Sequence, residues 1–168
     1  MSSVIRGSDD FDSATYGVNV QASVATTSGT SIDFTGIPSG VKRIQIMYNR
    51  TSLSSTADNL IQLMVGGIVI TVGYSSNTNF SGYPSTHTTN GIVVYGGNAV
   101  NAISAIVTIA SLGGNAWTSA HSGKYSTTNS FYGGGSVDLA GEVDGIRLTS
   151  VGGTNTFDAG SAAISWES

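Results

Sequence analysis

The chain has 168 residues, no cysteine and only 10% charged residues, with Lys+Arg 6 against Asp+Glu 10 and a formal net charge of -4. That length suits one domain with a sizeable core, and the missing cysteine excludes a disulfide framework, thiolate metal sites and thiol catalysis. About a quarter of an ordinary soluble domain is charged, so here Ser, Thr, Asn and Gly must supply the solvent face, and nothing in the charge balance suits a nucleic-acid backbone.

Residues 1–16 show no alternation and carry Asp9, Asp10 and Asp12 beside Phe11. They read as an N-terminal attachment arm in front of a single domain over 17–168. The first seven residues lack the apolar core of a signal peptide, and no run in the chain approaches the roughly 18 apolar residues of a membrane span. Neither membrane insertion nor Sec export is expected.

Gly17 to Thr26 and Ser31 to Phe34 read as two short strands, and Ile37-Pro38-Ser39-Gly40 supplies turn residues before the next. From Val41 to Ser52, Ile44, Ile46 and Tyr48 alternate with Arg43, Gln45 and Met47, which is the period of a half-buried strand. Leu60 to Val65 is a further strand, Gly66-Gly67 a hairpin turn, and Ile68, Ile70, Val72 and Tyr74 the expected return strand. The stretch Ser75 to Asn90, rich in Ser, Thr and Asn, reads as a long loop of the kind that carries binding residues.

Ile103, Ala105, Val107 and Ile109 align within a long strand that turns at Gly113-Gly114-Asn115 into Ala116 to Ser122. Gly133-Gly134-Gly135 reads as another break. Ile146 and Leu148 alternate in the next strand, Gly152-Gly153 turns, Phe157 and Asp158 close a final hairpin, and Ile164 with Trp166 give the last strand its apolar face. No window is convincingly helical, since glycine and β-branched residues both disfavour helix. Eight to ten strands at this spacing predict an all-β, antiparallel, jelly-roll-like β-sandwich.

Chemistry-bearing patterns are sparse. His87 and His121 have no ligand-spaced partner and read as surface imidazoles, and the acidic arm lacks the continuation of a calcium loop. No serine sits in a G-x-S-x-G elbow, and no glycine run has the lysine and helix of a phosphate loop. The expectation is a non-enzyme with no catalytic residue, no metal and no cofactor. Aromatics are better placed: Phe80, Tyr83, Tyr95, Trp117, Tyr125, Phe131 and Tyr132 include several beside Asn, Ser and Gly, the setting in which a ring stacks on a sugar while amides and hydroxyls bind its edges. Phe80, Tyr83, Phe131 and Tyr132 are the expected ligand contacts.

The segment Ser31-Ile32-Asp33-Phe34-Thr35-Gly36-Ile37-Pro38-Ser39-Gly40-Val41-Lys42-Arg43-Ile44 resembles a family of tailed-bacteriophage virion appendage proteins. So do Leu60-Ile61-Gln62-Leu63, Gly145-Ile146-Arg147-Leu148-Thr149 and the run from Gly153 to Ser161. The opening Val4 to Ser13 resembles the arm of the stand-alone members, which places Asp9, Asp10, Phe11 and Asp12 at the attachment point. The resemblance implies a structural appendage protein of tail-fibre or head-fibre type. Its partners would be other virion proteins, further copies in a homo-oligomer, most simply a trimer, and host-surface carbohydrate. Assembly would occur in the bacterial cytoplasm and residence would be on the virion. The alternatives are an architectural capsid decoration or collar or baseplate protein, and a bacterial carbohydrate-binding module.

Overall fold

Alternation of apolar and polar residues dictates the architecture: side chains on successive strand residues point to opposite faces, so each alternating segment buries one face and must pair into a sheet that covers another. The computed structural model describes residues 17–80 and 85–168. The expected arm, with Asp9, Asp10, Phe11 and Asp12, and the expected ligand contact Tyr83 lie outside the described residues.

Within them the strands are β1 (Asn19–Val20), β2 (Val24–Ala25), β3 (Ser31–Thr35), β4 (Arg43–Leu53), β5 (Asn59–Val65), β6 (Ile68–Val69) and β7 (Tyr74–Phe80). There follow β8 (Thr86–Thr88), β9 (Ile92–Val94), β10 (Ile103–Gly113), β11 (Ala116–Lys124), β12 (Ser130–Asp138), β13 (Gly145–Ser150) and β14 (Phe157–Glu167). The larger sheet runs β1-β14-β4-β10-β11-β12-β7-β8, with β2 also on β14; the smaller runs β3-β13-β5-β6, with β9 also on β5. Every pairing is antiparallel. The chain passes repeatedly between sheets, and the two pack face to face as the expected β-sandwich.

The core lies between them. Ile44, Ile46, Val107, Ile109 and Ile164 from the larger sheet meet Phe34, Ile61, Leu63, Ile146 and Leu148 from the smaller, all fully buried. Alternation in β4 and β10 falls where the sequence places it: Ile44, Ile46, Tyr48, Ile103, Ala105, Val107 and Ile109 point inward.

Four local expectations are corrected. The return strand after Gly66-Gly67 stops at Val69, and Ile68 and Val72 are exposed. Gly73, at φ 86, redirects the chain into the other sheet, where Tyr74 begins β7. The stretch from Ser75 to Asn90 is not one long loop. Its first half is β7, whose Tyr74, Ser76 and Thr78 are buried while Ser75 and Asn77 are exposed, so the alternation is written in hydroxyl residues and not in aliphatic ones. Gly133-Gly134-Gly135 is no break but the middle of β12, paired on both sides. Finally, β13 and β14 belong to different sheets, so residues 151–156 cross over between sheets and close no hairpin.

Two side chains of β7 tie the sheets together. The Tyr74 hydroxyl accepts a hydrogen bond from the Leu63 amide at 2.8 Å, and the Ser76 hydroxyl accepts one from the Val93 amide at 2.7 Å. Both amides lie on strands of the smaller sheet, at or near places where the backbone ladder of β5 and β9 has no neighbour. Burial pushes the Tyr74 hydroxyl up to about 12, with the bond from Leu63 acting in the opposite direction. Tyr74→Phe should orphan the Leu63 amide and lower stability by about 1–3 kcal/mol, read as a lower urea midpoint at unchanged slope.

Candidate aromatic binding site

One end of the sandwich gathers the aromatics. β7 finishes at Phe80, β9 leads into Tyr95, β11 leads into Tyr125, and β12 begins beside Phe131, so four separate strand ends bring four rings together. Phe80 and Tyr95 are tilted with centroids 4.3 Å apart, Tyr125 stands edge-on to Phe80 at 5.8 Å and 4.6 Å from Tyr95, and Phe131 lies 5.7 Å beyond Tyr95. These are the offset and edge-to-face arrangements that aromatic quadrupoles favour.

Burial divides the four into layers. Phe131 is only 1% exposed and packs over Gly123, where a Cβ would stand 2.7 Å from its ring. Its expected role as a ligand contact is therefore corrected: the ring supports the cluster from within the core. Tyr95 is 8% exposed, whereas Phe80 and Tyr125 are half-buried and reach the surface. Tyr132, on the opposite face of β12, is 63% exposed and belongs to the outer face of the larger sheet, away from the cluster. Of the four expected contacts, then, the structure places Phe80 at the surface of the cluster, Phe131 beneath it and Tyr132 elsewhere.

Phe80, Tyr95 and Tyr125 floor a depression of about 480 Å³ whose rim is Thr56, Gly97, Asn98 and Asn101. The loop forming that rim is tied down by hydrogen bonds. The Asp58 carboxylate accepts the Gly96 amide at 2.9 Å, Ala57 donates to the Gly97 carbonyl at 3.0 Å, and the Asn101 amide donates to Asn98 at 2.9 Å. Gly97 needs its φ of 71 and its missing side chain, because a Cβ there would sit 2.6 Å from the Tyr95 hydroxyl. The result is a ring floor bordered by two amide side chains and a hydroxyl. Chemically, such a surface stacks an apolar face and hydrogen-bonds a polar edge.

Tyr125 also borders a second depression of about 510 Å³, lined by Asn49, Arg50, Ser104, Lys124, Ser126 and Thr127 among others. The sequence reading placed Tyr95 and Tyr125 among the aromatics in a polar setting but not among the four expected contacts, and it did not single out Asn98, Asn101 or Arg50. The detectable signal was a tyrosine directly followed by turn residues, Tyr95-Gly96-Gly97-Asn98 and Tyr125-Ser126-Thr127-Thr128, since that is how a ring reaches the end of a strand.

Several other polar groups are committed elsewhere. His121 is not a surface imidazole: it is 5% exposed, its Nε2 lies 3.1 Å from the Thr78 hydroxyl, and burial lowers its pKa to about 4. His87 is exposed. Arg147 forms a paired contact with Asp33 at 2.7 Å for both bonds, which raises its pKa further, and Arg43 meets Glu167. Asp158 accepts from Ser52, and Asp144 from the Gly67 amide. Among the described residues no group of three or more His, Asp or Glu is placed to hold a metal ion.

No family model matches the chain, and comparison with curated proteins and with solved structures finds no match either.

Proposed function

We propose that this chain is a non-enzymatic structural protein of a tailed-bacteriophage virion, a surface appendage of tail-fibre or head-fibre type that adheres to host-surface glycans through its aromatic end. The observation that carries the adhesion reading is the depression floored by Phe80, Tyr95 and Tyr125 and rimmed by Asn98, Asn101 and Thr56, which matches the ring-plus-amide chemistry of saccharide binding. The virion assignment rests on the sequence resemblance, and the arm over 1–16 is its attachment segment in this reading.

A purely architectural role is the second reading, as a capsid decoration or a collar or baseplate element. It is favoured by the outer face of the larger sheet. The register aligns Met47, Ile106, Ser122, Tyr132 and Asn79 in one row across it, and Gln45, Thr108, Ala120, Gly134 and Asn77 in the next. Both rows are uncharged, and Ile106 and Tyr132 stand exposed, a composition that suits contact between subunits of a trimer or with a neighbouring virion protein.

The deciding experiment is antibody labelling of intact particles by electron microscopy, joined to an adsorption assay on particles carrying Tyr125→Ala or Phe80→Ala. Adhesion predicts label at an exposed appendage and adsorption reduced by about tenfold or more, the equivalent of about 1.4 kcal/mol of lost contact. Unchanged adsorption by folded variants would reject adhesion in favour of the architectural reading. Absence of label from purified particles would reject both.

A further inference from the structure

Arg50 occupies an unusual position. It is the one non-glycine residue at positive φ among the described residues, at 53°, a conformation that only Gly, Asn and Asp adopt routinely. The register explains why. Between the pairs Ile103↔Thr51 and Ala105↔Tyr48, β4 has one residue more than β10, and it has one more than β14 between Ala159↔Ser52 and Ser161↔Asn49. The bulge is accommodated on both sides: the Arg50 amide donates to the Ser104 hydroxyl at 3.2 Å, and Gly160 makes room for the Arg50 carbonyl where any Cβ would collide with it. Bulges re-aim side chains, and strained backbone held in place by its surroundings gathers at functional sites.

The bulge carries Arg50 to the same depression as Lys124. Ser104 is the register partner of Lys124 and also binds the Arg50 amide, so Arg50, Ser104 and Lys124 form a row across β4, β10 and β11. Arg43 and Arg147 are neutralised by Glu167 and Asp33, while Arg50 and Lys124 have no carboxylate partner among the described residues. Neither this depression nor the aromatic one beside it is lined by an acidic residue. In a chain whose formal net charge is -4, two cations that line one depression with no carboxylate partner among the described residues form a local exception.

We propose that the Arg50–Lys124 depression is an anion subsite, so that the ligand of the aromatic end is an acidic saccharide whose charged oxygens bind here while a neighbouring ring stacks at Tyr125. A guanidinium presents paired donors matched to carboxylate, sulfate or phosphate oxygens, and the ammonium adds a point charge. Tyr125 borders both depressions, so a ligand of two adjoining sugar units would reach from one to the other across this ring. This inference rests on the saccharide-binding reading and adds the charge class of the ligand.

The test uses the full chain against oligosaccharides in matched pairs: uronate-containing and carboxyl-reduced, sialylated and desialylated, phosphorylated and dephosphorylated. At least one acidic member should bind tenfold or more tightly than its neutral partner, and that preference should fall as salt is raised. Lys124→Gln and Arg50→Gly should each reduce the preference at least threefold with neutral binding kept. Arg50→Gly should also raise the melting temperature, because glycine relieves the strained backbone, so that lost binding cannot be misfolding. Equal binding of acidic and neutral members, or an undiminished preference in both variants, overturns the anion subsite alone. Binding to no member of any pair overturns the saccharide reading and the subsite with it.

Discussion

Gly133→Ala should lower the stability of the fold by about 3 kcal/mol or more, although it adds one methyl group to the middle of a strand. The methyl would be driven onto the Asn77 carbonyl oxygen of β7, which is backbone and cannot turn aside, and would stand 2.6–2.7 Å from ring atoms of His121. Overpacking of a tight interior costs about 1–3 kcal/mol, and displacing His121 from Thr78 strands two buried polar groups at about 1–3 kcal/mol more. Gly114→Ala is the control. Gly114 is left-handed at φ 58 with nothing near its missing side chain, so it should lose only about 1 kcal/mol for the conformation itself. Urea unfolding at pH 8 separates the cases, and equal losses would mean that β12 can shift to admit a side chain.

Acid should weaken the protein through His121. The unfolded chain takes up the imidazole proton near 6.5 and the folded chain only near 4, so lowering pH between those values favours the unfolded state, which binds the proton more readily. Stability from this group is fully present above pH 6.5 and declines down to pH 4, by about 3 kcal/mol in all at 1.36 kcal/mol for each unit separating the two values. Chemical unfolding curves of the natural protein and of His121→Gln, taken across pH 7 to 4, should diverge by that amount. Parallel curves would place the imidazole in contact with water. The buried Nδ1, which has no hydrogen-bond partner, makes protonation in place harder still, since the imidazolium must carry an N–H there that nothing accepts while Nε2 stays on Thr78.

Much of the fold is legible in the sequence because one side of most strands is aliphatic: Ile44-Ile46-Tyr48, Ile103 to Ile109 and Ile146-Leu148 declare their faces by period alone. The half of the sandwich built from β7, β11 and β12 is less legible because, between the buried Tyr74, Trp117, Phe131 and Val137, the middle of its inner face is Ser76, Thr78, Ser119, His121 and glycines. There, burial depends on neighbours that approach closely and on cross-sheet hydrogen bonds, neither of which leaves a hydropathy signal. The same reason disguised Gly133 to Gly135 as a turn. At the aromatic end, Phe80 was visible as a ring in a polar setting, but the inward direction of Phe131 and the outward direction of Tyr132 depend on the register of β12 against β7. Convergence of Tyr95 and Tyr125 with Phe80 depends on strand order, which pattern does not specify.

The hydroxyls of Tyr74 and Ser76 have a mechanical implication. Apolar attraction is non-directional, so by itself it sets the register of one layer on the other less sharply than a hydrogen bond does. A directional bond tolerates little sliding, and two of them, to Leu63 and Val93, act as dowels that lock β7 in register with the opposite layer. Since β7 ends at Phe80, the ring floor is anchored to both layers at once. A load applied at that end would therefore pass into both layers and not peel away one edge.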